Sequence, residues 1–388
     1  MISKIYSRKM ENKHQMAEAN KKELELYIHI PFCIKKCKYC DFLSAPSSEE
    51  ERQEYMTSLC RQIRSYGELA KAYHVISIFV GGGTPSILDK EELLGIFDAV
   101  RDTFTVDGDA EITIEVNPGT VTEEKLKAYL KAGINRLSIG LQSAENEELQ
   151  LLGRIHTYEE FLSTYGLARE MGFGNINVDL MSAIPRQTVE GWERTLKKVL
   201  GLRPEHISAY SLIIEEGTPF FERYGKGGHV DELPSEEEER RMYWRTAEIL
   251  RGYGYCRYEI SNYALPGYEC RHNLGYWNRT EYLGIGTGAA SLMDNRRWNY
   301  GEEPVGLSVR EQMEEFMFLG LRMTCGVSTV RFVPEFGVHI ESIYGKIIRK
   351  LSEEGLLLQD GAAIRLSDWG MDVSNYVMSK FLLDVPDA

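Results

Sequence analysis

The stretch YIHIPFCIKKCKYCDF runs from Tyr27 to Phe42 and decides how the chain is interpreted. Its first half is rich in β-branched and aromatic residues, a composition that predicts a strand. Its second half places Cys33, Cys37 and Cys40 within eight residues. Thiolates in one loop can bind an iron–sulfur cluster, and three of them leave one iron of a four-iron cluster open. Catalytic metal sites keep such an open position, so the spacing predicts a centre that binds a further ligand.

A zinc site is the alternative, with His29 or a remote cysteine as the fourth ligand. Structural zinc sites usually combine two short Cys/His pairs, and the sequence offers no second pair of that kind. The odd total of seven cysteines argues against a disulfide framework and predicts a reducing cytoplasm. The cysteines outside the loop are predicted to be ordinary small buried residues: Cys60, Cys256, Cys270 and Cys325.

Charge and hydropathy narrow the possible partners. The 388 residues include 45 basic and 59 acidic side chains, for a net charge of −14. Nucleic acid is not an expected partner, because phosphate contacts need clustered Lys and Arg. No apolar run approaches the roughly 20 residues of a membrane span, so no integral membrane segment is predicted. Residues 1–23 are polar, lack a secretory signal and are predicted to be a disordered extension.

The first two thirds of the chain alternate short apolar runs with amphipathic stretches of helical length. Such alternation predicts βαβ units around a parallel sheet. Polar residues recur just after the predicted strands, which favours a partial (β/α)6 barrel of the TIM type with one active face over an open sheet. The predicted strands are Leu24–Ile30, Val75–Val80, Glu111–Val116, Arg136–Gly140, Asn175–Leu180 and Glu205–Leu212, and the helices are Glu49–Tyr66, Lys90–Thr103, Thr122–Ala132, Tyr158–Met171 and Val189–Leu200.

The pattern changes after the predicted sixth strand. A core over 24–255 is expected to lead into a connecting segment over 256–307 and a terminal unit over 308–388. That unit is predicted to be a small α+β domain resembling a winged helix, with a helix over Ile340–Glu354, a hairpin and a last helix over Ser367–Leu383. Since the chain is acidic, this domain is expected to cover a site or bind protein rather than DNA.

The cysteine loop identifies a family resemblance. Cys33-x-x-x-Cys37-x-Tyr39-Cys40 resembles the signature of radical S-adenosylmethionine enzymes. The resemblance implies a [4Fe–4S] cluster on these three cysteines, with S-adenosylmethionine bound at the open iron. The loop Gly81-Gly82-Gly83-Thr84-Pro85 is similar to the glycine motif of that family. By the same resemblance, the residues that contact S-adenosylmethionine are Tyr27, Gly82, Gly83, Thr84, Glu115, Gln142, Arg154, Asp179 and Ile213.

Five motifs resemble one branch, which contains the anaerobic coproporphyrinogen III oxidases and the haem chaperones of the HemW type: YIHIPFC, GGGTPS, EVNPGT, GLQSAE and VDLMSAIPRQT. The oxidases carry a further cysteine two residues after the third ligand, where this chain has Phe42, and a longer segment before the first strand. One departure concerns Ala183, which stands where relatives usually have glycine. Because of this departure, the backbone conformation at Ala183 and the presence of a second S-adenosylmethionine site are both open questions.

A last motif favours the chaperones. His272-Asn273-Leu274-Gly275-Tyr276-Trp277 matches an H-N-x-x-Y-W pattern that the resemblance associates with haem. Imidazole is a competent haem ligand and aromatic rings can cover a porphyrin face, so His272, Tyr276 and Trp277 are the implied haem residues. A hydrogen-bonded core histidine is the alternative for His272.

The sequence therefore predicts a cytoplasmic radical S-adenosylmethionine protein that binds haem and transfers it to an acceptor protein. An electron donor such as a flavodoxin or ferredoxin is implied. The alternative function is oxygen-independent coproporphyrinogen III oxidase, and a third is a non-catalytic iron–sulfur protein.

Overall fold

A computed structural model describes residues 21–383, so nearly all of the predicted N-terminal extension lies outside the described residues. The first strand begins at Lys22, two residues earlier than predicted. The strands are β1 (Lys22–Ile30), β2 (Tyr73–Gly82), β3 (Val106–Val116), β4 (Arg136–Gln142), β5 (Ile176–Ser182), β6 (His206–Ser211), β7 (Cys256–Arg257), β8 (Asn262–Ala264), β9 (Tyr282–Ile285), β10 (Ala290–Met293), β11 (Arg296–Asn299), β12 (Val305–Gly306), β13 (Val327–Ser328), β14 (Leu357–Asp360) and β15 (Ala363–Leu366).

Most helices begin where a side chain caps the first turn. Five of them carry a full capping box, in which a Ser, Thr or Asp and the Glu three residues later satisfy each other's backbone N–H groups. The helices are α1 (Glu49–Ser65), α2 (Gly67–Ala70), α3 (Lys90–Thr103), α4 (Glu123–Lys131), α5 (Asn146–Leu152), α6 (Tyr158–Glu170), α7 (Val189–Leu200), α8 (Glu236–Gly252), α9 (Arg271–Trp277), α10 (Val309–Gly320), α11 (Thr329–Phe336), α12 (Ile340–Glu353), α13 (Asp368–Asp372) and α14 (Ser374–Ser379).

The strands β1 to β6 pair in sequence order and in parallel, which confirms the predicted six-strand partial barrel. The sheet also extends beyond both ends of this set. Strand β9 adds in parallel beside β1, and β10, β11 and β12 continue antiparallel from it. At the other edge β8 and β7 pair antiparallel after β6. The carboxyl ends of six parallel strands therefore face one side of the molecule.

The two faces of the sheet bury different residues. On β1, Leu24, Leu26, Ile28 and Ile30 are fully buried in the main apolar core, which α1, α3 and α7 also line. The alternate residues of β1, such as Glu25, point to the opposite face, because side chains alternate along a strand. Helix α9 covers part of that face, and it is joined to the sheet by hydrogen bonds of His272 with Ser77 and of its first two N–H groups with Glu111. The inside of the partial barrel is thus unusually polar.

The terminal unit has its own apolar core, built from α10 to α14 around the three-stranded antiparallel sheet β13–β15–β14. This confirms the predicted small α+β unit of helices and a hairpin. The prediction of a single last helix was wrong, because the helix is interrupted at Val373 and continues as two short helices, α13 and α14. The break lets both Met371 and Phe381 reach the same core. No helix within residues 21–383 combines the length and apolar character that crossing a membrane requires.

The segment 256–307 contributes six strands to the main sheet, so it does more than connect. Strand β9 lies next to β1 although about 250 residues separate them in sequence. The division into units at 255 and 307 stays a prediction.

Ala183 keeps the backbone that a glycine would favour. Its φ is +57°, in the left-handed region directly after β5. That region costs a residue with a Cβ roughly 1 kcal/mol, because Cβ approaches the following carbonyl oxygen. Ala183 thus adopts a backbone conformation that glycine accepts more easily, at the cost of strain, and the second S-adenosylmethionine site stays an open question.

We expect Ala183→Gly to raise the free energy of unfolding by about 1 kcal/mol, because it relieves this strain. Urea titrations of the metal-free protein measure it. The matched control is Ala247→Gly within α8, which should lower the same quantity by about 1 kcal/mol. Equal destabilisation by both substitutions would contradict the strain at Ala183.

Candidate functional site

The cysteine loop lies at the carboxyl end of β1 and is tied to two other segments. The Cys33 N–H donates to the Ala45 carbonyl at 3.1 Å, and the Lys38 N–H donates to the Leu152 carbonyl at 3.0 Å. The second bond attaches the loop to the end of α5, which follows β4. Cys33, Cys37 and Cys40 are all partly exposed free thiols. The loop is held in place while its sulfurs stay accessible.

Two side chains direct hydrogen bonds at the sulfurs. The Thr84 hydroxyl donates to Cys33 Sγ at 3.5 Å, and Arg154 Nη1 donates to Cys37 Sγ at 3.6 Å. Donors of this kind stabilise thiolate charge and tune the potential of an iron–sulfur centre. Arg154 and Thr84, which lie far apart in sequence, therefore meet at the same loop.

Asn117 joins these two donors to each other. Its Oδ1 accepts from Arg154 Nη2 at 2.7 Å, and its Nδ2 donates to Thr84 Oγ1 at 3.0 Å. Arg154 Nη2 also donates to the Gly140 carbonyl at 2.7 Å. A continuous hydrogen-bond chain thus runs from Cys37 through Arg154, Asn117 and Thr84 to Cys33.

The glycine motif after β2 is required by close packing against this loop. A Cβ on Gly83 would lie 2.5 Å from the Phe32 carbonyl oxygen and 3.0 Å from Cys33 Sγ. Gly82 has φ +118°, and a Cβ there would overlap the His29 ring at 2.6 Å. Only glycine allows the two strand ends to approach so closely.

Two partly buried carboxyl groups lie inside the barrel below the cysteine loop. Glu115 Oε2 accepts the Gly82 N–H at 3.0 Å. Asp179 accepts from Ser138 Oγ at 3.0 Å and from Asn177 Nδ2 at 2.8 Å. Burial, assisted by the charge of Asp179, raises the pKa of Glu115 to about 8. Burial likewise raises the pKa of Asp179.

The remaining predicted nucleoside contacts occupy distinct positions. Gln142 ends β4 with φ +72°, a conformation that costs energy and is often found at functional sites. Tyr27 stacks with Phe79 and its hydroxyl lies 3.1 Å from His29 Nδ1. Ile213, just after β6, leaves 68% of its side chain exposed. The structure brings Gly82, Gly83, Thr84, Glu115 and Arg154 together, and no hydrogen bond joins Ile213 to them within the described residues.

The zinc alternative named His29 or a remote cysteine as the fourth ligand. Its Nε2 lies 3.0 Å from the Leu43 carbonyl oxygen, and its Nδ1 lies beside the Tyr27 hydroxyl. Both ring nitrogens are therefore engaged away from the cysteines. Across residues 21–383, no three His, Cys, Asp or Glu side chains are arranged to hold a single metal ion. Four cysteines were predicted to be buried. Cys270 is buried and Cys60 is partly buried, whereas the prediction was wrong for Cys256 and Cys325, which are exposed.

His272 lies at the opposite end of the barrel from the cysteine loop. Helix α9, which carries it, begins where the Glu111 carboxylate accepts the N–H groups of Arg271 and His272, both at 3.1 Å. His272 Nδ1 lies 2.8 Å from Ser77 Oγ, and its Nε2 lies 3.1 Å from the Tyr276 hydroxyl. The ring is 1% exposed, and burial lowers its pKa to about 3. His272 thus has the contacts of a hydrogen-bonded core histidine.

Tyr276 and Trp277 line a cavity beside this histidine. Its volume is about 300 Å³, and Tyr27, Tyr282 and Arg297 also line it. Arg322 stacks over the Trp277 ring, 4.2 Å from its centroid. The two aromatic residues of the motif therefore face a common space, whereas His272 does not line it.

Comparison with known proteins places this site in a family. The Radical SAM superfamily model matches residues 27–199, and the HemN C-terminal domain model matches residues 307–373. The fold and the site thus define a radical S-adenosylmethionine protein.

The relatives identify the particular family. The chain is 36% identical over 373 residues to the haem chaperone HemW of Lactococcus lactis, covering 92% of this chain and 97% of that protein. It is 35% identical to HemW of Bacillus subtilis, covering 92% and 98% respectively. The chain belongs to the HemW family. The solved coproporphyrinogen III oxidase of Escherichia coli shares the fold, with a TM-score of 0.81 at 24% identity over 95% of this chain and 92% of that one.

The cofactors of the superfamily are a [4Fe–4S] cluster and S-adenosylmethionine, and the residues present fit both. Three partly exposed thiols in one loop, two of them receiving hydrogen bonds, are the donor set that a cluster requires. When bound, the pair supplies radical chemistry. The chain itself positions the cysteine loop. The close contacts around Gly83 leave no room for a larger side chain at that position.

Asn117 is the site residue that the predicted contacts omit. Its signal was present in the sequence, since a polar residue directly follows the third strand. Its partners, Thr84 and Arg154, lie 33 and 37 residues away, so pattern alone could not assign its role.

The raised pKa of Glu115 predicts a pH-dependent stability. Folded Glu115 keeps its proton up to about pH 8, whereas the unfolded side chain ionises near its ordinary value of 4.5. Its contribution to stability is therefore present below about pH 4.5 and is lost as pH rises towards 8. We expect Glu115→Gln to match the parent at pH 4.5 and to exceed it by on the order of 2–4 kcal/mol at pH 8.

Urea titrations of the metal-free protein at both pH values measure this difference. Glu54→Gln is the control at an exposed position of α1, and it should show no such divergence between the two pH values. A Glu115→Gln variant whose advantage does not grow between pH 4.5 and pH 8 would show that Glu115 is ionised in the folded chain.

Proposed function

We propose that the chain is a haem chaperone, which binds haem and transfers it to an acceptor protein. Its similarity to HemW proteins over almost its whole length carries this proposal. Phe42 supports the proposal further, because this chain has a phenylalanine at the position where the related oxidases carry a further cysteine. Phe42 has no sulfur, so this position offers no fourth thiol beside Cys33, Cys37 and Cys40, and the residue is 64% exposed.

The proposal assigns roles to the residues at the carboxyl end of the barrel. Cys33, Cys37 and Cys40 hold the cluster. The glycine loop Gly82-Gly83-Thr84 supports the methionyl end of S-adenosylmethionine. Glu115, Gln142, Arg154, Asp179, Tyr27 and Ile213 complete its contacts. The hydrogen-bond chain through Asn117 supports this assignment, because it joins three of the segments that would surround the nucleoside.

The same proposal includes two protein partners and a compartment. A reduced carrier, such as a flavodoxin or ferredoxin, supplies the electron, and an unidentified protein accepts haem. Seven free thiols among residues 21–383 support a reducing cytoplasm.

Haem binding by the H-N-x-x-Y-W motif places specific demands on His272. Ligation of iron requires one ring nitrogen to give up its bond, either to Ser77 or to Tyr276. The Tyr276 side is nearer to open space, because Tyr276 lines the cavity of about 300 Å³. Haem binding through His272 Nε2 therefore involves displacement of the Tyr276 hydroxyl.

Anaerobic reconstitution followed by haem titration and a turnover assay tests the function. The reconstituted protein should bind haem with a distinct absorption spectrum and should release it to an acceptor haemoprotein. The same sample should show no conversion of coproporphyrinogen III to a vinyl product. Multiple turnovers of that substrate would defeat the chaperone proposal in favour of the oxidase.

A pair of substitutions tests His272. His272→Ala removes the proposed ligand, and we expect it to weaken haem binding at least tenfold while leaving the iron content of the cluster unchanged. Tyr276→Phe keeps the ring but frees His272 Nε2, so it should keep or strengthen haem binding. Haem titrations followed by absorption spectroscopy measure both.

Thermal unfolding accompanies these titrations, because loss of a buried ring with two hydrogen bonds is expected to destabilise the fold by about 2–4 kcal/mol. The ligand assignment fails if folded His272→Ala retains the haem spectrum and affinity of the parent. His272 would then be a structural residue of the barrel.

A further inference from the structure

The surface around the cysteine loop combines positive charge with exposed apolar side chains. We define the cluster-loop surface as Ile34, Lys35, Lys36, Lys38, Phe42 and Leu43. Ile34, Phe42 and Leu43 leave 58%, 64% and 55% of their side chains exposed. The three lysines are exposed as well. An apolar centre with a charged rim is the anatomy of a protein interface.

The charge of this surface is opposite to that of the whole chain. The segment 33–42 has three lysines and one aspartate, whereas the chain carries a net charge of −14. Lys36 Nζ donates to the Phe42 carbonyl at 3.0 Å and so fixes the loop. Lys35 and Lys38 form no salt bridge with any carboxylate in the part of the chain from 21 to 383. Their charge is available to a partner.

A cationic cavity adjoins the same surface. It has a volume of about 390 Å³ and lies between Cys33, Ile34, Arg52 and Lys125. Arg52 Nε and the Ser47 hydroxyl are buried beside it, and neither has a hydrogen-bond partner within residues 21–383. Such groups lower their free energy when they donate a hydrogen bond to an added acceptor. The cavity would therefore accept an acidic side chain of a docked protein.

We propose that the cluster-loop surface is the docking site of an acidic one-electron carrier, with flavodoxin as the representative class. The inference rests on the proposed function, because it places the electron donor relative to the cluster. Electron transfer rates fall steeply with distance, and this surface is formed by the loop that carries all three cysteines. Docking here brings the carrier as near to the cluster as the fold allows.

The electron balance of the step is simple. The reduced carrier is oxidised by one electron and the [4Fe–4S] cluster is reduced by one electron. No bond is made or broken, and no proton is transferred. Complementary charge raises the association rate of such pairs by roughly 10- to 1000-fold at low ionic strength. Glu49, Glu50 and Glu51 in the first turn of α1 border the surface and would repel the carrier on that side.

Charge reversal tests the docking site. We expect Lys35→Glu/Lys38→Glu to lower the affinity for oxidised flavodoxin and the second-order rate of cluster reduction by reduced flavodoxin at least tenfold at low ionic strength. Lys36 is left unchanged because it fixes the loop. The matched control is Lys346→Glu/Arg349→Glu, which makes the same charge change on exposed residues of α12 and should alter neither quantity.

Two further measurements separate docking from damage to the cluster. Reduction by photoreduced deazaflavin, which is uncharged, should proceed at the parental rate in all variants. Ile34→Ala should weaken flavodoxin binding at every ionic strength, because it removes apolar contact rather than charge. Parental iron content shows that each variant retains its cluster.

Several results would overturn the inference. Parental flavodoxin affinity in Lys35→Glu/Lys38→Glu is one, and equal losses in the control variant are another. Failure of the parent protein to bind flavodoxin is a third. Haem transfer is measured separately, so its failure would leave the docking result standing.

Discussion

One guanidinium group organises the carboxyl end of the barrel. A charge that is partly withdrawn from water needs several hydrogen-bond partners, and Arg154 finds them in three separate segments. Its partners are the Cys37 sulfur, the Asn117 amide oxygen and the Gly140 carbonyl oxygen. Because these groups come from the cysteine loop, the end of β3 and β4, the guanidinium holds those segments in one geometry. The cysteine loop is therefore positioned by the same residue that gives positive potential to its sulfurs.

The other end of the barrel is closed by polar contacts rather than by an apolar layer. Glu111 accepts the first N–H groups of α9 and a hydrogen bond from the Cys270 thiol. Gly275 lies directly against the Glu25 carboxyl group, where a side chain would collide. Burial raises the pKa of Glu25 to about 9, so this carboxyl group is neutral at physiological pH. The H-N-x-x-Y-W motif thus has a structural task at this end, whatever its role towards haem.

The two ends of the barrel differ in chemical character. Thiols, glycines and positive charge gather at the carboxyl ends of the strands, and the motif with His272 closes the amino ends. Electron entry at the cluster-loop surface and haem contact near Tyr276 would then occur on different sides of one barrel. Tyr27 contributes to both regions, since it follows Glu25 on β1 and also lines the cavity with Tyr276. A porphyrin in that cavity would touch the same strand that leads to the cysteines.

The alternating strands and helices, the cysteine loop and the glycine motif could be predicted from local sequence patterns alone. Hydrophobic period, helix caps and the spacing Cys33-x-x-x-Cys37-x-x-Cys40 act over a few residues, so they can be interpreted without a structure. The left-handed backbone at Ala183 is different, because its neighbours and not its own preference impose it. The break at Val373 belongs to the same class, since the terminal core rather than local propensity sets it.

The pairing of groups that are distant in sequence depends on the tertiary structure. Ser77 and His272 are 195 residues apart, yet they share a hydrogen bond inside the barrel. Strand β9 adds to β1 in parallel, and Asn117 joins two donors from other loops, by contacts of the same long range. A residue's type limits which bonds it can make, whereas its partner depends on how the whole chain packs. For that reason the sequence could indicate a chemical role for His272. Only the fold could show that both of its ring nitrogens already form hydrogen bonds, with Ser77 and Tyr276.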